Sequence, residues 1–475
     1  MLIVLCVALV SRLAFLFLVP GGLQNVGWYL DSYHHWQIAY FTLKIGIFQG
    51  RLWDLGGVEY FWGILPPLVQ AGLLGLFNST SIIFIRLANS LFGSISVAIV
   101  YFIVKRYFGL KSGLIAAILC AINPVLIAAD TSGMNEPMGI MFLLAGVYFY
   151  DRSEFRSGIL FALASMTRAE YWILSLGVIM LYLVFERNAT RFIPNMAGWL
   201  ALMIPYMWHL RVVTGNPFYP LYWNFLGNIS GQWVTQIALT GAQQSIKYFF
   251  VFGLIASTTL LVVLFKRKPR SYPVIALFLG YFAMQSVVFG FSAYINGWTE
   301  WYPFDRIFSL DYVFVAVLVS VAAAKSMRKG SLKLPKINWR MLGVALVVVA
   351  LLLQTLLFPP ILSLYSSSLR GYQSASQFAT FVVSQYRSGT ILVPGSEVYL
   401  TYALVNDGIT AQHILSEKYH PKNCNDTMMW LQENNVTLAL INPDDSFYQG
   451  LIQAYARDFS FLQEQGIQLY SISYV

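Results

Sequence analysis

Residues 29–40 read Y-L-D-S-Y-H-H-W-Q-I-A-Y and follow an apolar run. Asp31 has two readings. It is a loop aspartate capping an amphipathic helix that starts near Ser32. Or it is a general base at a membrane surface, where a partly desolvated carboxylate takes a proton from an incoming hydroxyl. His34 and His35 come next. On a helix, adjacent side chains point about 100° apart, which makes these two poor joint metal ligands. One can approach a phosphate or a metal while the other packs. The chain has five histidines and no H-x-H or H-x-x-x-H spacing. A divalent metal is therefore left open as a cofactor.

Three further stretches put charge beside apolar runs. In D-T-S-G-M-N-E-P-M (130–138), Glu136 is either a first-turn glutamate favoured by the helix dipole or an active-site acid, with Asp130 as its neighbour. In T-R-A-E-Y-W (167–172), Arg168 and Glu170 interrupt an otherwise apolar stretch. They form an ion pair, or Arg168 snorkels to the interface, or its fork of donors grips a phosphate. In W-T-E-W-Y-P-F-D-R-I-F (298–308), Arg306 sits among aromatic residues, as an interface anchor or as a grip on a lipid phosphate.

The elements that must position these residues are set by composition. The chain is 57% hydrophobic and 11% charged, against about 25% charged in soluble domains. That deficit points to an α-helical polytopic membrane protein. Apolar segments run at 2–20, 82–104, 113–129, 138–150, 157–167, 171–185, 193–212, 247–265, 272–294, 308–324 and 341–358. They predict about eleven transmembrane helices, several shorter than the ~20 residues a straight span needs. Basic residues concentrate in alternate loops, from Lys105 and Arg106 through Lys266–Lys268 to Lys325–Arg340. The positive-inside rule then sets the N-terminus in the cytoplasm and the loops 21–81, 130–137, 213–246 and 295–307 outside. The expected location is the plasma membrane, with multiple passes. The sequons at Asn78, Asn228, Asn425 and Asn435 fall on the outer side, and that at Asn188 inside. The net charge of +9 belongs to the cytoplasmic loops and not to a nucleic-acid partner. There is no zinc spacing, Walker loop or G-x-G-x-x-G, and three cysteines make no disulfide framework.

Residues 1–358 thus form the membrane domain, and 359–475 a more polar extracytoplasmic domain. The tail predicts a helix at 374–386, a strand at 389–395, a helix at 427–435, a strand at 436–443, one long helix at 445–465 and a strand at 467–474. That order makes a small α/β domain.

With these residues in view, the chain resembles the GT-C superfamily of polytopic glycosyltransferases, most nearly its protein O-mannosyltransferase and lipid A aminoarabinose transferase branch. The resemblance covers roughly residues 1–325. It rests on Arg12 late in the first helix, Asp31, His35 and Ala39 in the first outer loop, and Pro66-Pro67-Leu68. It continues with Pro124 in A-I-N-P, Glu136 in N-E-P, Arg168 in A-S-M-T-R-A-E, and Gly215–Pro220 in G-N-P-F-Y-P. The family's common D-E pair is D-S here, with Ser32 in the second place. The resemblance implies a sugar taken from a polyprenyl- or dolichyl-phosphate carrier and passed to a lipid, glycan or protein hydroxyl at the outer face. It implies Asp31 as base; Glu136, read from its own loop, is the second catalytic candidate and could join Asp31 in one outer cavity. It implies Arg168, Arg306 and His35 near the donor phosphate, and Tyr33, His34 and Glu170 lining the acceptor and sugar pocket.

Competing readings are an oligosaccharyltransferase, for which a W-W-D-Y-G-like block is missing, a lipid-linked-sugar transporter or flippase, and a scaffold without catalysis. A transporter would show internal repeats and midplane charges; no convincing repeat is visible.

Overall fold

The structure is a computed structural model. It describes residues 2–19, 29–47, 60–229, 251–296 (without 252, 261, 264–265 and 268–269), 306–328 and 339–474. Parts of the expected outer loops, at 20–28, 48–59, 230–250 and 297–305, lie outside the described residues, as do parts of the 247–265 segment.

The helices are α1 (Leu2–Leu18), α2 (Leu30–Lys44), α3 (Leu65–Leu76), α4 (Ile83–Phe108), α5 (Leu110–Ala121), α6 (Pro124–Thr131), α7 (Glu136–Phe149), α8 (Glu154–Ser165), α9 (Glu170–Leu181), α10 (Ala189–Thr214) and α11 (Tyr219–Ile229). They continue with α12 (Tyr272–Asn296), α13 (Ser309–Arg328), α14 (Trp339–Thr355), α15 (Phe358–Gln385), α16 (Val398–Asn406), α17 (Cys424–Glu433) and α18 (Ser446–Ala454). The described parts of the predicted apolar segments fall mainly on helices, with a break at Ile122-Asn123 inside 113–129. Among the described residues, three helical stretches are long and apolar enough to cross a bilayer: Ile83–Phe108, Arg306–Met327 and Met341–Gln385. The pair α5 and α6, bent by 58°, is a fourth if it is one span. By length and composition alone, three or four spans stand among the described residues, and the expected eleven are not reached by that measure. Helices such as α8 and α9 have 12 residues each, or about 18 Å at 1.5 Å per residue, short of the hydrocarbon thickness.

The described chain divides into two compact units. One holds Arg86–Ser363 with the N-terminal helix and residues 60–66; the other holds Leu364–Val475 with α2 and Pro67–Ile85.

In the first unit, small residues let helices touch backbone to backbone, as is usual where there is no hydrophobic drive between helices. α8 packs on α7 and α10. A Cβ on Gly158 would stand 1.9 Å from the Asn195 carbonyl oxygen, and one on Gly198 would stand 2.3 Å from that of Phe155. Ser157 donates to the Gly146 carbonyl at 2.8 Å across the α7–α8 contact. The α5–α6 bend has a local cause. Pro124 opens α6, and the Asn123 side chain accepts from the Leu126 N–H at 3.1 Å, a cap that supports the new helix direction.

The second unit is built on a five-stranded sheet in the order β2-β1-β3-β5-β4. The strands are β1 (Thr390–Val393), β2 (Ile414–Ser416), β3 (Val436–Ile441), β4 (Phe459–Glu464) and β5 (Gln468–Ile472). β1 pairs in parallel with β2 and β3, while β5 runs antiparallel to β3 and β4. Alternation along the strands feeds two cores. Ile391, Val393, Leu438, Leu440 and Leu469 face α2, α15 and α16. Leu392, Ala439, Ile441 and Tyr470 face α17 and α18. The predicted helix at 445–465 is corrected: α18 stops at Ala454 and the chain returns as β4. Phe459 is buried and Phe461 packs on Tyr470 across the strand pair at 5.6 Å, so cross-strand aromatic contact decides the conformation there. α16 and β2 were not expected from the sequence.

The Gly158 contact gives a direct test. Gly158→Ala lowers the thermal midpoint in detergent, because overpacking against backbone costs about 1–3 kcal/mol. Gly177→Ala in α9, where a Cβ meets nothing within 4 Å, leaves the midpoint unchanged or raises it slightly.

Candidate active site

The first unit gathers four charged residues from three separate connections. Glu136 is the first residue of α7. Its carboxylate Oε1 accepts from Arg168 Nη1 at 2.5 Å and from Arg306 Nη1. Arg168 Nε donates in turn to Glu170 Oε1. The Glu136 side chain is only 3% exposed, and both guanidiniums are mostly buried. The arrangement is a carboxylate holding two guanidinium forks at one place.

Each member is set by its own support. α7 meets the 167–171 turn closely: a Cβ on Gly139 would stand 2.4 Å from the Tyr171 ring and 2.5 Å from the Thr167 hydroxyl. That close approach carries Glu136 to Arg168. Arg306 opens a short 3₁₀ turn, Arg306–Phe308, just before α13. Tyr281 and Gln285 of α12 both donate to the Ile307 carbonyl, at 2.7 and 3.0 Å, which anchors that turn. The connection leading into Glu136 is tied to α4. Arg86 Nε donates to the Thr131 carbonyl at 2.7 Å, and Asn89 Nδ2 to that of Met134 at 2.5 Å. Buried backbone carbonyls in a helix break are thereby satisfied, as buried polar groups must be.

Below this turn lies a second buried pair. Arg12 of α1 meets Asp130 of α6 through Nη2 at 2.6 Å and Nε at 2.8 Å. Arg12 Nη1 also donates to the carbonyls of Ala8 and Ala121, at 3.0 and 3.1 Å. Gly93 makes the room, since a Cβ there would stand 2.1 Å from the Asp130 carboxylate. The pair ties α1 to the bent α5–α6 helix.

In the second unit, Asp31 lies in the first turn of α2 and is partly exposed. Ser32 donates its hydroxyl to the Tyr29 carbonyl at 2.6 Å. Tyr33 is fully buried among Tyr372, Tyr399 and Tyr402, with ring centroids at 5.7, 4.8 and 5.0 Å. His34 is also fully buried and His35 nearly so. Burial first, then the charge of Lys418, pushes His34 down to about 3 from an ordinary 6.5. It is a neutral ring at physiological pH. α2 is thus the helix by which the segment after α1 enters the core of the second unit. Among the described residues, no three His, Cys, Asp or Glu side chains gather as a metal site.

Residues 63–209, which include Glu136 and Arg168, match the family described as dolichyl-phosphate-mannose-protein mannosyltransferase. Among curated proteins, none matches the chain. Solved structures do. ArnT from Cupriavidus metallidurans, solved with undecaprenyl phosphate bound, is 13% identical, with 99% of this chain and 97% of that chain covered and a TM-score of 0.55. The apo oligosaccharyltransferase of Archaeoglobus fulgidus is 12% identical over 93% of this chain and 69% of that one, with a TM-score of 0.52. The archaeal oligosaccharyltransferase AglB from the same organism, solved with an inhibitory peptide and a dolichol-phosphate, is 13% identical over 99% and 74%, with a TM-score of 0.51.

The chain has the GT-C fold. The family match and the fold together indicate a membrane glycosyltransferase, as the sequence resemblance implied.

Within the GT-C fold, the structure brings Glu136, Arg168, Glu170 and Arg306 together in one unit. It sets Asp31, Tyr33, His34 and His35 on one helix of the other. Tyr33 and His34, expected to line a sugar pocket, lie in the packing of the second unit. Sequence reading missed Arg12–Asp130 as a pair and Tyr281 and Gln285 as anchors. Arginine and aspartate inside apolar runs were the available signal for the pair.

Removing one partner of the buried Arg12–Asp130 pair leaves an uncompensated charge. Arg12→Met is therefore expected to cost about 3–5 kcal/mol, and Arg12→Met with Asp130→Leu markedly less. Thermal midpoints of the two variants in detergent check the order. A second test concerns His34. Its pKa is depressed on folding, so the stability it contributes is complete above about 6.5 and is lost as the pH falls toward 3. At pH 5 the loss is about 2 kcal/mol. The midpoint of the wild type should fall faster between pH 7 and 5 than that of His34→Gln.

Proposed function

We propose that this GT-C protein moves a sugar from a polyprenyl- or dolichyl-phosphate carrier to a hydroxyl of a lipid, glycan or protein at the extracytoplasmic face. The observation that carries the reading is the Glu136 carboxylate holding Arg168 and Arg306 side by side. A guanidinium matches the geometry of a phosphate, and two forks fixed before the ligand arrives stabilise the charge that develops as the phosphate leaves. The structural neighbours solved with undecaprenyl phosphate and with a dolichol-phosphate support a carrier of this kind.

In this scheme Glu136 is a positioning residue. A carboxylate already engaged by two guanidiniums is a weak proton acceptor. Glu170 fixes the Nε edge of Arg168. Asp31 takes the acceptor proton, a role that stands on the family resemblance and on its place in the first turn of α2. The short apolar helices complete a bundle of about eleven spans when neighbouring helices shield them. The loop-charge pattern supports an N-terminus in the cytoplasm and a tail domain outside.

The test is turnover of a radiolabelled polyprenyl-phosphate sugar panel by purified protein with membrane extract as acceptor. Arg168→Ala and Arg306→Ala should each lower transfer by about 10²–10³-fold. Asp31→Asn should abolish transfer without changing the thermal midpoint. Undiminished turnover in Asp31→Asn would remove it as the base. A wild type that consumes no donor but translocates lipid-linked sugar in vesicles would replace the reading with the flippase.

A further inference from the structure

The tail domain contains a crevice that the transfer chemistry leaves unused. The three parallel strands β2, β1 and β3 end at the same edge of the sheet. Their carboxyl ends continue as Ser416-Glu417, Pro394-Gly395-Ser396 and Asn442-Pro443-Asp444-Asp445. The chain goes from β1 to β2 on one side and then crosses to β3 on the other. In open α/β sheets a crevice outside the carboxyl ends, at such a reversal, is where ligands bind. A cavity of about 260 Å³ lies there, lined by Ser396, Glu417, Asn442, Asp444, Asp445 and Tyr448 among others.

The edge is braced from within. The Glu417 carboxylate accepts from the Gly395 N–H at 2.7 Å, which joins the ends of β2 and β1. Asp445 caps α18 by accepting from the N–H groups of Phe447 and Tyr448 at 3.0 and 3.2 Å. The Asn442 side chain accepts from the Asp444 N–H at 3.1 Å. The Tyr448 ring stands beside the strand ends, its side chain buried and its hydroxyl donating to the Glu417 carbonyl at 3.4 Å. The volume is near the lower end for small-molecule sites, which suits one monosaccharide unit. The wall mixes apolar groups, Pro394, Leu440, Ile441 and the Tyr448 ring, with the oxygen acceptors of Glu417, Asn442, Asp444 and Asp445, a pairing that suits a ligand with an apolar face and hydroxyl or amine donors. The carboxylates of Asp444 and Asp445 in the lining, with Glu417 held deeper by the Gly395 N–H, disfavour an anion such as a phosphate or an acidic sugar.

We propose that this crevice is a sugar-binding subsite for a neutral or amino-sugar residue. Its service as the place where a glycan acceptor is held rests on the transferase reading above; sugar binding itself does not.

The test uses the full chain in detergent and saturation-transfer NMR. The probes are the methyl glycosides of glucose, galactose, mannose and glucosamine, with glucuronic acid as the anionic control. Ser396→Trp blocks the cavity and Asp444→Lys reverses charge at its mouth. Both residues are exposed, and thermal midpoints confirm that the variants fold. At least one neutral or amino glycoside should bind the wild type, with glucuronic acid giving no transfer. Each variant should weaken that binding by about tenfold or more. No glycoside binding, equal binding of glucuronic acid, or unchanged affinity in either variant would overturn the proposal. Donor consumption is followed in the same preparations. Failure of the transferase reading shows there as no donor used, whereas failure of the subsite shows only in glycoside binding.

Discussion

The first unit depends on one buried carboxylate with two cationic partners. Glu136 accepts from Arg168 and Arg306 through a single oxygen. Either arginine alone at this depth would be costly, because a cation away from water must be paired or hydrogen-bonded. The carboxylate makes burial of both tolerable and fixes where they stand. The other features of this unit deliver its three connections to one place. Pro124 and Asn123 bend the α5–α6 helix, and Arg86 and Asn89 hold the turn that follows. Gly139 admits the 167–171 turn against α7, and Tyr281 and Gln285 pin the turn that carries Arg306. Arg12–Asp130 then ties α1 to the bent helix.

The second unit uses a different principle. Its sheet is covered on both faces, and the segment between α1 and α3 supplies part of one cover through α2. Trp36 stacks on Tyr40 at 5.0 Å and donates to the Thr80 carbonyl at 2.7 Å. Aromatic packing of this kind combines apolar burial with a satisfied polar edge. Asp31 is thereby mounted on a helix held by a tyrosine cluster.

Much of this was legible in the sequence, and the rest was hidden for identifiable reasons. Glu136, Arg168 and Arg306 stood out because charge beside apolar runs is expensive. Their mutual pairing was not legible, since 32 and 170 residues separate Glu136 from its partners. Arg12 and Asp130, 118 residues apart, were both visible but not as a pair. In the tail, β1, β3 and β5 announced themselves as apolar runs beside turns. β4 did not, because no proline or glycine separates it from α18 and the helical reading ran on through Phe459–Glu464. Strand β2 has only 3 residues, too few for any periodicity. The histidines stood out for their chemistry; which of the two packs was not legible, and His34 lies fully buried in the core beside Tyr33.

The central claim is that Glu136 serves by holding two arginines for a phosphate. Simple electrostatics and positioning make opposite statements about it. Removing a negative charge beside an anion site should strengthen anion binding, whereas losing the residue that orients both forks should weaken it. The decisive measurement is the affinity of purified protein in nanodiscs for undecaprenyl phosphate, wild type against Glu136→Gln. The account predicts weaker binding by about tenfold or more. Unchanged or tighter binding by Glu136→Gln, in a variant that keeps its thermal midpoint, would contradict it.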